Sequence, residues 1–185
     1  NQKRTVMGYS AVHLRYHHPH RPDYSLHLEP WRKTSATGEA KSKKQARRRA
    51  KAGEERNKLD IALDAIITYL PLMGDVRTVI ADSWYTARWF IHELRQLNLT
   101  FIGEADSKQK FQLGDDYLDV SEIRRRLTPQ LKQIKGMKQG VHAASIQAII
   151  RPDQYTTQAQ PVRLVLVEGL HKPRENDKGY HLLVC

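Results

Sequence analysis

The chain has 185 residues, is 39% hydrophobic and carries a formal charge of +11 from 31 Lys and Arg against 20 Asp and Glu. That length suits one domain, or one domain with an insertion, and no apolar run approaches the length of a membrane span. A single cysteine, Cys185, excludes an internal disulfide and suits a reducing cytoplasm, while the charge points to a polyanionic partner, nucleic acid first.

Residues 5–16 (TVMGYSAVHLRY) read as a strand, and 24–31 (YSLHLEPW) alternate more clearly, with Leu26 and Leu28 on one side and His27 and Glu29 on the other. HHPHRPD between them is a turn-rich connection, so residues 1–31 are expected to form an antiparallel pair. Residues 32–53 form a basic crossover. Lys41, Lys43, Lys44, Arg47, Arg48, Arg49 and Lys51 fall there without an acid among them. Such a run is a solvated loop in the free protein and a phosphate-contacting arm once ordered on DNA; both readings hold together.

From Glu54 the period becomes helical, with Leu59, Ala62, Leu63, Ile66, Ile67 and Leu70 on one face, and Pro71 and Gly74 close the helix. A short apolar strand, Val76 to Ala81, ends on Asp82. A helix from about Tyr85 to Leu97 follows, with Trp89, Phe90, Leu94 and Leu97 as its apolar set and Asn98 to close it. LTFIGEA (99–105) is the next strand. Residues 106–120 read as polar and turn-rich, with a short amphipathic helix at about 120–127. Residues 143–151, 162–168 and 179–185 read as strands of a β-rich tail, and GMKQG (136–140) as a hairpin turn.

An antiparallel start followed by strand–helix–strand units implies an α/β fold, a mixed sheet with flanking helices. A carboxylate at the C-terminal end of a buried strand stands where metals and substrates bind, although Asp82 equally suits the N-cap of the following helix. Tyr85 either packs beneath that site or hydrogen-bonds a phosphate. Trp84 and Trp89 either stack on an extruded base or join the core, and Arg88 is placed to reach a phosphate. His13, His17, His18 and His20 lack cysteine partners and helical spacing, so they read as added positive charge rather than a zinc site.

The segment VIADSWYTARWFIHELRQLNLTFIGEADSKQKF resembles the DDE transposases of bacterial insertion sequences, whose catalytic core is RNase H-like. In that family the second catalytic Asp ends a strand, with a Tyr three positions on, then a helix closing in Leu-x-x-Leu and a strand with a basic exit. Here these are Asp82, Tyr85, Leu94 to Leu97, and Thr100 to Lys110. YSLHLEPWRK is similar to the third core strand and NKLDIALDAIITYLP to the first core helix. VRLVLVEGLHKPRENDKGYHLLVC is similar to the strands between the second Asp and the catalytic Glu.

The resemblance implies a partial catalytic core over 1–111, holding the basic crossover, and a β-rich insertion over 112–185 that returns toward the core. It implies metal-dependent DNA cleavage and strand transfer by cut and paste, with Asp82 as catalytic residue and ligand to Mg²⁺ or Mn²⁺. Two ions would occupy the complete site. Double-stranded DNA, as transposon ends and target, is the implied partner, contacted by the basic residues of 41–51, Tyr85 and Arg88. A homodimer in a bacterial or archaeal cytoplasm, associated with the nucleoid and not with a membrane, is also implied.

The family's first Asp and its Tyr-x-x-Arg-x-x-x-Glu phrase are absent between Asn1 and Cys185. The chain is therefore expected to be an internal piece of a longer protein, inactive alone. Two other readings stay open. One is a non-catalytic nucleic-acid-binding remnant of a transposase; the other is a different RNase H-like nuclease such as a resolvase.

Overall fold

In the computed structural model, residues 10–18, 20–31, 57–137, 140–152, 158–169 and 179–185 are described. The chain divides into two compact units, residues 1–76 and 77–185. The basic residues Lys41, Lys43, Lys44, Arg47, Arg48, Arg49 and Lys51 lie outside the described residues.

The first unit contains strands β1 (Ser10–His18) and β2 (Arg21–Trp31) and helix α1 (Lys58–Tyr69). β1 and β2 pair antiparallel from Ser10 opposite Trp31 to His18 opposite Arg21, in a two-stranded sheet of their own. The expected connection at 17–23 is thus mostly strand. His17 and Asp23, both on the hairpin, are hydrogen-bonded at 2.6 Å. That hydrogen bond holds the Asp23 carboxyl below its ordinary range.

Helix α1 is capped by Asn57, whose side chain accepts from the amides of Leu59 and Asp60 at 2.9 and 3.0 Å. Its buried residues are Ile61, Ala62, Ala65 and Ile66, whereas Ile67 is exposed. The buried face is therefore rotated from the expected one. The small side chains of Ala62 and Ala65 let the helix approach β1, which buries Val12. Pro71 lies in a 3₁₀ turn at Leu70–Leu72 that ends the helix, as expected.

The second unit is built on a mixed sheet in the order β3-β4-β10-β9-β8-β5-β6, with β7 beside β8. β3 is Thr78–Ala81, β4 Thr100–Glu104, β5 Lys110–Leu113, β6 Asp116–Asp119 and β7 Lys132–Gln133. β8 is His142–Ile150, β9 Gln160–Glu168 and β10 Tyr180–Val184. β3 and β4 are parallel, and the crossover between them is helix α2 (Arg88–Gln96); every other pairing is antiparallel. This mixed α/β architecture is consistent with the RNase H-like fold expected from the sequence.

Alternation sets the core. Along β9, Val162, Leu164 and Leu166 are buried while Pro161 and Arg163 face outward. From α2 the core takes Phe90, Ile91 and Leu94, so Ile91 replaces the expected Trp89 and Leu97, which are half-buried. Asn98 ends α2 in the left-handed region at φ 58°, a conformation Asn tolerates better than most residues. Gly103 on β4 is required by close approach: a Cβ there would run into the Phe101 ring.

Residues 106–120 do not stay irregular. Lys110–Leu113 and Asp116–Asp119 form a hairpin around Gly114 and Asp115, with Gly114 at φ +59°. Phe111 and Leu113 point into the core, and that two-residue alternation is what turns a polar stretch into a strand. Helix α3 (Val120–Leu127) falls where expected. A capping box holds it: Asp119 accepts from the Glu122 amide and Glu122 accepts from the Asp119 amide, both at 2.9 Å. Residue 111 lies inside β5, and the strands after it extend the sheet begun by β3 and β4.

Candidate active site

Asp82 follows the last residue of β3 directly and is exposed. Its Oδ1 accepts from the Trp84 amide at 2.9 Å, which makes Asp82 the N-cap of a 3₁₀ turn, Ser83–Tyr85. Among the described residues Oδ2 accepts no hydrogen bond. Capping and ligand binding are thus compatible readings of one side chain, because each uses a different oxygen.

The 3₁₀ turn delays α2, which starts at Arg88 instead of Tyr85. Thr86 is buried and donates from Oγ1 to the Ser83 carbonyl at 2.6 Å, which tightens the turn. Tyr85 is half-buried with its ring 5.8 Å from that of Phe90. Burial raises its phenol above the ordinary tyrosine value, and the nearby Asp82 charge adds to the shift. Tyr85 therefore keeps its proton at neutral pH. It is suited to donating a hydrogen bond and unsuited to acting as a base.

Trp84 is 74% exposed beside Asp82, whereas Trp89 sits edge-on to Phe90 at 5.9 Å between ring centres. Trp89 thus packs against the core ring of Phe90 from a half-buried position, while most of Trp84 is exposed. Arg88 is half-buried and is held by neutral groups, the Tyr117 hydroxyl and the Arg151 carbonyl, each at 3.3 Å.

Two glutamines that the sequence does not mark brace this segment. Gln109 donates to the Thr86 carbonyl at 3.2 Å, and the buried Gln160 donates to the Arg88 carbonyl at 3.3 Å. Neither lies near Asp82 in sequence, and a glutamine in a polar loop or at a strand start carries no recognisable signature. Tyr117 and Arg151 carry none either.

A hard divalent cation takes six or more oxygen ligands. Asp82 fits as one of them. No group of three or more His, Cys, Asp or Glu among the described residues could hold a metal ion by itself. In the first unit, the histidines of β1 and β2 pair within the hairpin: His17 with Asp23 and His13 with Ser25. Among the described residues no helix is long and apolar enough to cross a membrane.

A family model described as DDE superfamily endonuclease matches residues 3–172. No curated protein matches the chain.

Proposed function

Because the chain belongs to the DDE superfamily endonucleases, we propose that it is the central part of a transposase catalytic domain that cuts and joins DNA. The observation that carries this reading is Asp82, an exposed carboxylate at the end of a parallel strand, with Tyr85 one tight turn on. In this reading residues 1–111 carry part of the catalytic core, and 112–185 carry a β-rich insertion and the strands that return to the core. Of the family's three carboxylates, the resemblance places Asp82 in this chain, and residues 1–185 by themselves are not expected to cleave DNA. The whole protein acts as a dimer on paired ends in a prokaryotic cytoplasm.

The chemistry is two in-line displacements at phosphorus. In cleavage, a water oxygen bonds to the phosphorus and the bond to the 3′ oxygen breaks, releasing a 3′ hydroxyl and a 5′ phosphate. In strand transfer, that 3′ hydroxyl attacks a target phosphodiester, whose own 3′ oxygen leaves and takes up the proton. Asp82 would hold Mg²⁺ or Mn²⁺ through Oδ2 while Oδ1 keeps the turn closed. A bound divalent ion supplies Lewis acidity at the phosphoryl oxygens. Tyr85, neutral and anchored on Phe90, donates to a nearby phosphate oxygen. Trp84, largely exposed beside Asp82, is the aromatic residue placed to meet a base.

The complete protein, incubated with a plasmid carrying its own ends, is expected to nick those ends with Mg²⁺ present and to stop when a chelator removes it. DNA binding without cleavage would favour the remnant reading, and cleavage with no preference for the ends would favour another nuclease of this fold.

The basic crossover should contribute affinity and not chemistry. Replacing Lys41, Lys43, Lys44, Arg47, Arg48, Arg49 and Lys51 by Gln is expected to weaken duplex binding and flatten its dependence on salt. Each phosphate left without its cation lowers the slope of log K against log salt by about 0.9. An unchanged slope in a filter-binding titration would remove the crossover from the DNA surface.

A further inference from the structure

Arginines 63 residues apart meet at one tyrosine, Tyr117. Arg88 opens α2 and donates from its two terminal nitrogens to the Arg151 carbonyl and the Tyr117 hydroxyl. Arg151, just past the end of β8, places its guanidinium carbon 4.6 Å from the centre of the Tyr117 ring and donates from Nε to Gln112 at 2.9 Å. Lys110 on β5 stands 5.9 Å from the same ring centre.

The partners of both guanidinium groups are uncharged: a carbonyl, a phenol, an amide and the face of a ring. Lys110 differs, because it lies opposite Asp119 in the β5–β6 register; that carboxyl is held below its ordinary range chiefly by the Glu122 amide, with the Lys110 charge adding to it. Neither arginine has a carboxylate partner among the described residues. Two like charges brought together by neutral groups repel, and an anion shared between them would relieve the repulsion. The guanidinium fork suits phosphate in particular.

Position favours a nucleic acid phosphate over other anions. Arg88 follows Asp82 by six residues, a span of at most about 20 Å. We propose that Arg88 and Arg151, gathered around Tyr117, form a platform for the DNA backbone next to the phosphate at Asp82. This rests on the DNA-cleaving reading of the chain.

The test is a salt titration of the complete protein on a 20-bp duplex of arbitrary sequence. The Arg88→Gln/Arg151→Gln variant should lower the slope of log K against log salt by about 1.8. With the 1 M intercept unchanged, affinity then falls roughly 30-fold at 0.15 M salt. Arg151→Gln alone, at an exposed position, should lower the slope by about 0.9 and keeps the test valid should the double variant fail to fold. Arg151→Lys should retain the slope. Wild-type binding with unchanged slopes in the glutamine variants would overturn the platform alone. Loss of polyglutamate binding with duplex binding intact would overturn it in favour of an acidic protein partner. A wild-type protein that binds no duplex at any salt concentration would overturn the DNA reading itself, and the platform with it.

Discussion

Asp82→Asn in the complete protein is expected to lower Mg²⁺-dependent cleavage of its DNA ends by at least about a thousandfold, ~4 kcal/mol in the barrier. Binding of the same DNA should stay within about twofold, since no basic group is touched. The substitution is unusually clean here. Asn keeps an oxygen to accept from the Trp84 amide, and it is as good an N-cap as Asp. The turn at Ser83–Tyr85 therefore survives, and what is lost is the charge and the second oxygen, which an amide nitrogen replaces. Plasmid nicking measured beside circular dichroism separates the outcomes. A folded variant that cuts at the wild-type rate would end the role of Asp82 as a metal ligand.

Phe90→Ala is expected to cost about 3–5 kcal/mol of stability, the range for truncating a buried phenylalanine. Phe90 is 1% exposed and is the hub of an aromatic cluster. Its ring lies 5.8 Å from that of Tyr85, 5.9 Å from Trp89 and 6.3 Å from Phe101, the last two edge-on. The damage therefore reaches past the core, because Tyr85 would lose the ring it packs against where the chain leaves Asp82. Urea unfolding followed by tryptophan fluorescence reads both effects, with Trp84 and Trp89 in the same neighbourhood. A destabilisation under about 1 kcal/mol would mean that the cluster repacks and that Phe90 does not anchor the turn. Phe90→Leu should cost less than Phe90→Ala, because it leaves a smaller void.

The parts of this molecule that are legible in the sequence are those decided by neighbours along the chain. The apolar run into Asp82, the helix at 120–127, the closure at Asn98 and the three late strands all depend on short-range pattern. Structure and expectation part where a local pattern has two solutions. The hydrophobic stripe of α1 admits more than one rotation, and close packing on β1 chooses the face with Ala62 and Ala65. The helical pattern places the start of α2 three residues early because Asp82 first caps a separate turn. The β5–β6 hairpin is hidden by its polar composition, with only Phe111 and Leu113 marking the inward face. At the site, Asp82 can be named from its place after a strand. Arg151, Tyr117, Gln109 and Gln160 cannot, because tertiary folding alone brings them to Arg88 and Thr86.

The backbone between Asp82 and Arg88 is short and is held from two sides, by Gln109 at Thr86 and by Gln160 at Arg88. A segment fixed in this way keeps its ends at a constant separation. With a reacting phosphate at one end and an anchored phosphate at the other, as proposed above, it would work as a ruler laid along the strand. The place of the cut would then be measured from an anchor, without reading the bases in between.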